Sequence, residues 1–172
     1  MSGGPGSGKT TLINLLKKHS FFCFDEISRD FIKLGKENGL DNYFKVDPHA
    51  FSRHLWEARK KQFEEALNLE EPVIFFDRGV HDVVAYLNYI ENPISSWENE
   101  LKNFKYDVVI LIKPEEEIYV QDDDRMETFE EAIKVHEQIK NSYVKSGLKI
   151  IELPFTTPIK RLNLVLKHYK NE

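Results

Sequence analysis

Residues 3–10 read Gly3-Gly4-Pro5-Gly6-Ser7-Gly8-Lys9-Thr10, the G-x-x-x-x-G-K-[ST] spacing of a phosphate-binding loop (P-loop). Glycines in such a loop let backbone N–H groups turn inward around phosphate oxygens. The helix that starts near Lys9 adds the positive end of its dipole at the same point. Lys9 is then expected to reach the β- and γ-phosphates of ATP, and the Thr10 hydroxyl to ligate the Mg²⁺ that bridges them. Thr11 joins the residues expected at the nucleotide. The plainer reading, a flexible glycine tail before a helix, leaves Lys-Thr directly ahead of the apolar face of Leu12, Ile13, Leu15 and Leu16 without a reason.

Outward from the loop, short apolar runs rich in β-branched and aromatic residues (21–24, 73–76, 108–112 and 149–153) alternate with stretches of helical period. That is the pattern of helices wrapped on both faces of a parallel sheet, a three-layer α/β fold in a single domain. Helix ends are readable. Asp47-Pro48 opens a long charged helix expected to reach about Leu69, and Thr128 with Glu131 forms a capping box. The latter starts a stripe of Phe129, Ala132, Ile133, His136, Ile139 and Tyr143 that Gly147 stops. Thr157-Pro158 opens a last helix with Leu162, Val165, Leu166 and Tyr169 on one face. Stretches 35–47, 91–103 and 113–128 lack clear period and are expected as loops or substrate-covering segments.

One feature conflicts with the loop. A phosphate loop normally follows a buried strand, yet only Met1 and Ser2 precede Gly3. The sequence therefore predicts a gap at mid-sheet, with unpaired backbone groups on its neighbours. A start lying further upstream is the preferred explanation; a slot filled by another segment or subunit, or impaired nucleotide binding, are the others.

Composition excludes several classes. The 172 residues carry 24 Lys and Arg against 29 Asp and Glu, a net charge of −5, and no positive field to neutralise a nucleic-acid backbone. No apolar run approaches the roughly 18 residues of a membrane span, and the N-terminus is glycine-rich where a secretory signal is apolar, so a cytoplasmic protein is expected. The lone Cys23 reads as a small apolar residue of a buried strand. The oligomeric state is left open.

In open parallel sheets ligands bind beyond the carboxyl ends of the strands. The run Val73-Ile74-Phe75-Phe76 ends in Asp77, an arrangement that supports Mg²⁺ beside a phosphate loop. Arg78 follows, where a guanidinium could hold a phosphate or substrate oxygen or pair with a nearby carboxylate. The run 21–24 ends in Asp25 and Glu26. Of the two, Glu26 is chosen to accept an acceptor hydroxyl's proton, with a helix-capping role for Asp25.

The succession GGPGSGKTTLI, FDEISRDFI, VIFFDRGVHDVVAYL, YDVVILIKP with DDDRMETFEEA, and GLKIIELP resembles the bacterial phosphate-loop ATPase family described as the AAA domain. That family is related to the nicotinamide riboside kinase domain of the bifunctional NAD-biosynthesis regulator. The resemblance spans nearly the whole chain and implies the parallel sheet order 2-3-1-4-5 of nucleoside and nucleotide kinases. It places Glu26 after the second strand, Asp77-Arg78 after the third, and Arg125 in a lid at about 113–127, closing over the transferred phosphoryl group. Taken from the residues alone, Asp122 to Arg125 are a solvated loop. A motor ATPase would carry Asp-Glu where this chain has Asp77-Arg78, which disfavours mechanical work.

The six histidines show no ligand spacing. His81 and Asp82, just past the Asp77 strand end, are candidate pocket residues beside a packing alternative. Trp56 with Arg53 could stack a flat ring, although core packing is the plainer role for Trp56. Lys60 and Lys61 read as solvated surface. The expectation is a Mg²⁺- and ATP-dependent phosphotransferase acting on a small hydroxyl-bearing, nucleoside-like metabolite. An NTP hydrolase or nucleotide-responsive switch, and a non-catalytic nucleotide-binding interaction module, stand as alternatives.

Overall fold

The computed structural model describes residues 1–37, 39, 43–119 and 127–170. Two parallel strand pairs form its centre. Strand β1 (Phe22–Phe24) pairs with β2 (Ile74–Phe76) in the register Phe22 to Ile74, and β3 (Val109–Ile112) pairs with β4 (Ile150–Leu153) in the register Val109 to Ile150.

The expected gap between these pairs is filled, at this end of the sheet, by Met1 and Ser2. The Met1 amine donates to Phe76 O at 2.7 Å, and Met1 O accepts from Arg78 N at 2.8 Å. On the other side Ser2 N donates to Ile110 O at 2.8 Å and Ser2 O accepts from Ile112 N at 2.9 Å, a parallel bridge opposite Leu111. Two residues suffice because each peptide of a central strand bonds both neighbours. Counting this stub first, the sheet runs 2-3-1-4-5. The structure thus corrects the expectation of unpaired neighbours beside Gly3.

Helices cover both faces. They are α1 (Lys9–Lys18), α2 (Ser28–Glu37), α3 (Tyr43–Val46), α4 (Pro48–Ala66), α5 (Val80–Tyr89), α6 (Ser95–Glu100), α7 (Phe129–Lys145) and α8 (Pro158–Lys170). All four residues of β3 are buried, and they alternate between layers. Ile110 and Ile112 pack with Leu12, Ile13, Leu16, Leu162 and Val165 of α1 and α8. Val109 and Leu111 pack with Ala85, Val135, Ile139 and Tyr143 of α5 and α7. A third cluster joins Phe51, Leu55 and Trp56 of α4 to Val80, Val83 and Val84 of α5. This is the expected three-layer α/β arrangement.

The capping signals hold. Asp47 accepts from Ala50 N at 2.8 Å, and Thr128 and Glu131 exchange backbone bonds as a capping box. The long helix stops at Ala66, three residues before the expected Leu69. The stretches expected as loops are partly helical: 35–47 holds the end of α2 and all of α3, and 91–103 holds α6 and a 3₁₀ turn. Residues 120–126 of the expected lid, Arg125 among them, lie outside the described residues. No helix among the described residues is long and apolar enough to cross a membrane.

Candidate active site

The P-loop leaves the stub and enters α1 at the carboxyl end of the sheet, where the strand ends converge. Gly8 caps α1 with φ +86°, a left-handed conformation that suits glycine. Lys9 is buried, and its ammonium is folded onto the loop. It donates to Gly3 O (2.9 Å), Gly4 O (2.8 Å) and Ser7 Oγ (3.1 Å). Burial, with the Arg78 charge nearby, pulls its pKa down to about 7.

Glu26 and Arg78, 52 positions apart in sequence, meet at the neighbouring strand ends. The Glu26 carboxylate pairs with Arg78 Nε, with Arg59 Nη2 at 2.8 Å, and with Ser28 N at 3.0 Å. Burial alone would raise its pKa; the two guanidiniums and the amide hold it down at about 2. Arg78 also reaches Gly3 O (3.2 Å) and Asp82 Oδ1 (3.0 Å). Its φ of +74° is left-handed for a non-glycine residue, a strain of order 1 kcal/mol that the surrounding bonds offset.

Asp77 is 4% exposed, and its Oδ1 is buried without a hydrogen-bond partner. Desolvation raises its pKa. An orphaned carboxylate oxygen on a residue that borders the same cavity as the phosphate loop, with Thr10 exposed at the start of α1, fits a hard cation that keeps waters and shares phosphate oxygens. Among the described residues no group of three or more His, Cys, Asp or Glu could hold a metal by itself.

These groups open into one cavity of about 1360 Å³. One end is walled by the P-loop, Phe155, Thr157 and Arg161. The other is lined by Ile32, Phe44, Phe51, Leu55, Tyr86 and Ile90, with Arg29, Ser28 and Ser52 among the polar groups. Such a volume exceeds the roughly 300–1,000 Å³ of an ordinary ligand pocket.

Pro5 to Thr11, Glu26, Asp77 and Arg78 border this one cavity, and the Gly3 and Gly4 carbonyls lie behind it as acceptors for Lys9, Gly3 also for Arg78. Asp82 lines the cavity, whereas His81 is packed against Tyr143 with ring centroids 4.5 Å apart. Trp56 is core, stacked on Trp97 at 4.7 Å. Asp25 is tied to Lys17 on the surface. Cys23 is half-buried, and burial pushes its thiol up to about 11, an inert side chain.

The sequence reading does not include Arg59 and Arg161, although each stands on the buried face of its helix: Arg59 follows Ser52, Leu55 and Trp56 at helical spacing, and Arg161 precedes Leu162 and Val165.

A model of the AAA domain family matches residues 1–161. The chain belongs to that family. None of the curated protein sequences matches it. Among solved structures it is similar in fold to deoxyadenosine kinase from M. mycoides. The form with the products dCMP and a flexible dCDP bound gives a TM-score of 0.70 at 17% identity, over 99% of this chain and 97% of that one. The form with bound dCTP gives 0.69 at 13% identity over the same shares. The form with bound dATP gives 0.65 at 16% identity, over 98% and 96%. This AAA domain has the α/β fold of a P-loop kinase.

Proposed function

We propose that the chain is an ATP-dependent kinase that transfers the γ-phosphoryl group to a hydroxyl of a small nucleoside-like metabolite. The observation that carries this reading is the cavity itself. It runs from the P-loop past Glu26 and Arg78 into an aromatic-lined end, giving room for an acceptor beside the nucleotide. The fold likeness to deoxyadenosine kinase supports the same class, and kinship with a nicotinamide riboside kinase would be one form of it. A pyridine riboside and a deoxynucleoside share a flat ring, a sugar and a primary hydroxyl.

In this reading the P-loop amides and Lys9 hold the polyphosphate, Lys9 exchanging its bonds to Gly3 O and Gly4 O for phosphate oxygens. Thr10 and Asp77 would hold Mg²⁺, which when bound neutralises charge on the β- and γ-phosphates. Glu26 accepts a hydrogen bond from the acceptor hydroxyl. As the new O–P bond forms and the bond to ADP breaks, the hydroxyl's proton passes to Glu26. A carboxylate with a pKa near 2 is a weak base, but phosphoryl transfer through a loose transition state asks little of it until late in the step. Its larger task is orientation. Arg78 sits beside it as the cation for the transferred group, and Arg125 would close the site from the lid.

Incubation with MgATP and a pool of ribonucleosides, deoxyribonucleosides and nicotinamide riboside, followed by mass spectrometry, tests the proposal. A phosphorylated acceptor that disappears in Lys9→Ala and falls at least a hundred-fold in Glu26→Gln is expected, by the roughly 10²–10⁴ typical of positioned acid–base groups. ADP and free phosphate formed regardless of the pool would replace it with a hydrolase. Binding without turnover would leave a nucleotide-binding module.

A further inference from the structure

Helix α8 brings a charge to the cavity that the P-loop motif does not include. Arg161 lies one turn into this helix and is 4% exposed. Thr157 opens the turn by accepting from Arg161 N at 3.0 Å, ahead of Pro158. The side chain then crosses to the P-loop. Its contacts are neutral: Nε donates to Pro154 O at 3.1 Å, Nη1 donates to Ser7 O at 2.9 Å, and the guanidinium carbon sits 5.6 Å from the centre of the Phe155 ring.

Nη2 is buried and has no hydrogen-bond partner. Among the described residues no carboxylate lies within ion-pair distance of Arg161, whereas the buried Arg59 and the half-buried Arg78, also at the cavity, both pair with Glu26. Glu115 acts on the guanidinium only from beyond ion-pair distance, and a buried guanidinium whose hydrogen-bond partners are all neutral and one of whose donors is idle is costly unless an anion comes to it. Gly8 makes room for the approach: a Cβ there would stand 3.3 Å from Nη1. The arginine and the loop residues it touches border the same cavity.

Resting on the phosphoryl-transfer reading, we infer that Arg161 is a second polyphosphate-binding cation, whose Nη2 donates to an oxygen of the bound triphosphate while Nη1 keeps the Ser7 carbonyl. A planar fork can serve both at once, which a lysine ammonium does less well. The nucleotide is thereby clamped between the P-loop and α8.

The test is calorimetric titration of the full chain with inorganic tripolyphosphate and with MgATP, for wild type, Arg161→Lys and Arg161→Gln. It is paired with ¹⁵N spectra of the arginine side chains, the Arg161 signal being assigned by its absence from Arg161→Lys. Arg161→Gln is expected to weaken both ligands about 10- to 100-fold, the range for a hydrogen bond to a charged group. Arg161→Lys is expected to weaken them less, and the wild-type Arg161 signal to shift when tripolyphosphate is added. Unchanged affinity in Arg161→Gln overturns the inference. So does an equal loss in both variants with an unmoved Arg161 signal, which would leave the side chain only bracing Ser7. If thermal melts show that neither variant folds, the wild-type signal alone decides. Wild type that takes up neither ligand removes the phosphoryl-transfer reading and this inference with it, whereas uptake lost in Lys9→Ala but kept in Arg161→Gln removes this inference alone.

Discussion

Arg78 and Asp82 face each other across the first turn of α5, with Nη1 donating to Oδ1 at 3.0 Å. Asp82 is fully buried and also accepts from Ser2 Oγ at 2.6 Å, Tyr143 Oη at 2.7 Å and Gly79 N at 3.1 Å. One carboxylate therefore joins the stub, α5 and α7 to the Arg78 guanidinium at the cavity wall. Burial alone would raise its pKa, but Arg78, Arg59 and the two hydroxyls hold it at about 2. Asp82→Asn leaves Arg78 short of a charge partner in a buried site, and a loss of about 3–5 kcal/mol is expected from such a deletion. Urea or thermal unfolding measures it; a loss below 1 kcal/mol would show that Arg78 is held without Asp82.

The clamp on Glu26 predicts acid sensitivity. Its pKa, like that of Asp82, lies below the unfolded value, near 2 against 4.5 and 3.8 respectively. The unfolded chain therefore binds more protons between these limits. The stabilisation is fully present above about pH 4.5 and is lost as pH falls toward 2. Each carboxylate contributes on the order of 2–4 kcal/mol by this linkage. Unfolding free energies between pH 5 and 2.5 should fall steeply in wild type and less steeply in Glu26→Gln. Parallel slopes in the two proteins would contradict the clamp.

What the sequence disclosed follows from distance along the chain. The loop, Asp77, Arg78 and the capping box are contiguous signals, legible because their chemistry depends on neighbours within a turn or two. Arg59 finds Glu26 across 33 positions, and Arg161 finds Ser7 across 154. No local pattern encodes such meetings; only the crossovers of a parallel sheet produce them. The stub escapes a local pattern for a related reason. A strand shows in sequence as an apolar run of 4–8 residues, whereas Met1 and Ser2 satisfy both neighbours with four backbone bonds. Ser2 is wholly buried because it serves Asp82, a partner 80 positions away.

Lys9 predicts a proton coupled to nucleotide binding. Burial lowers its pKa from 10.5 to about 7, so at pH 8.5 most chains hold a neutral amine. A polyphosphate favours the ammonium, so binding at that pH takes up a proton from solvent, and at pH 5.5 it takes up almost none at Lys9. Titrations in buffers of different ionisation enthalpy read the uptake directly. Approaching one proton at pH 8.5 in wild type, and near zero in Lys9→Met, is expected. The same depression makes unfolding free energy rise with pH between about 7 and 10.5, because the unfolded chain holds the extra proton there.

Gly3 tests whether the stub and the loop are one device. Its φ of +138° is a conformation that side chains avoid, and a Cβ would stand 1.9 Å from Ile112 O, a backbone atom of the central strand that cannot swing aside. Gly3 O meanwhile receives both Lys9 and Arg78. Gly3→Ala must therefore push the stub off β3 or rotate the Gly3 carbonyl, and a loss of about 4 kcal/mol or more is expected from steric overlap joined to backbone strain. At Gly39, also at positive φ (+80°) but with nothing within 4 Å of a Cβ, alanine meets strain without overlap, and a cost of only about 1–2 kcal/mol is expected. Paired thermal melts of the two variants separate strain from collision. Equal losses would mean that β3 yields at Ile112 and that the stub is not rigidly seated.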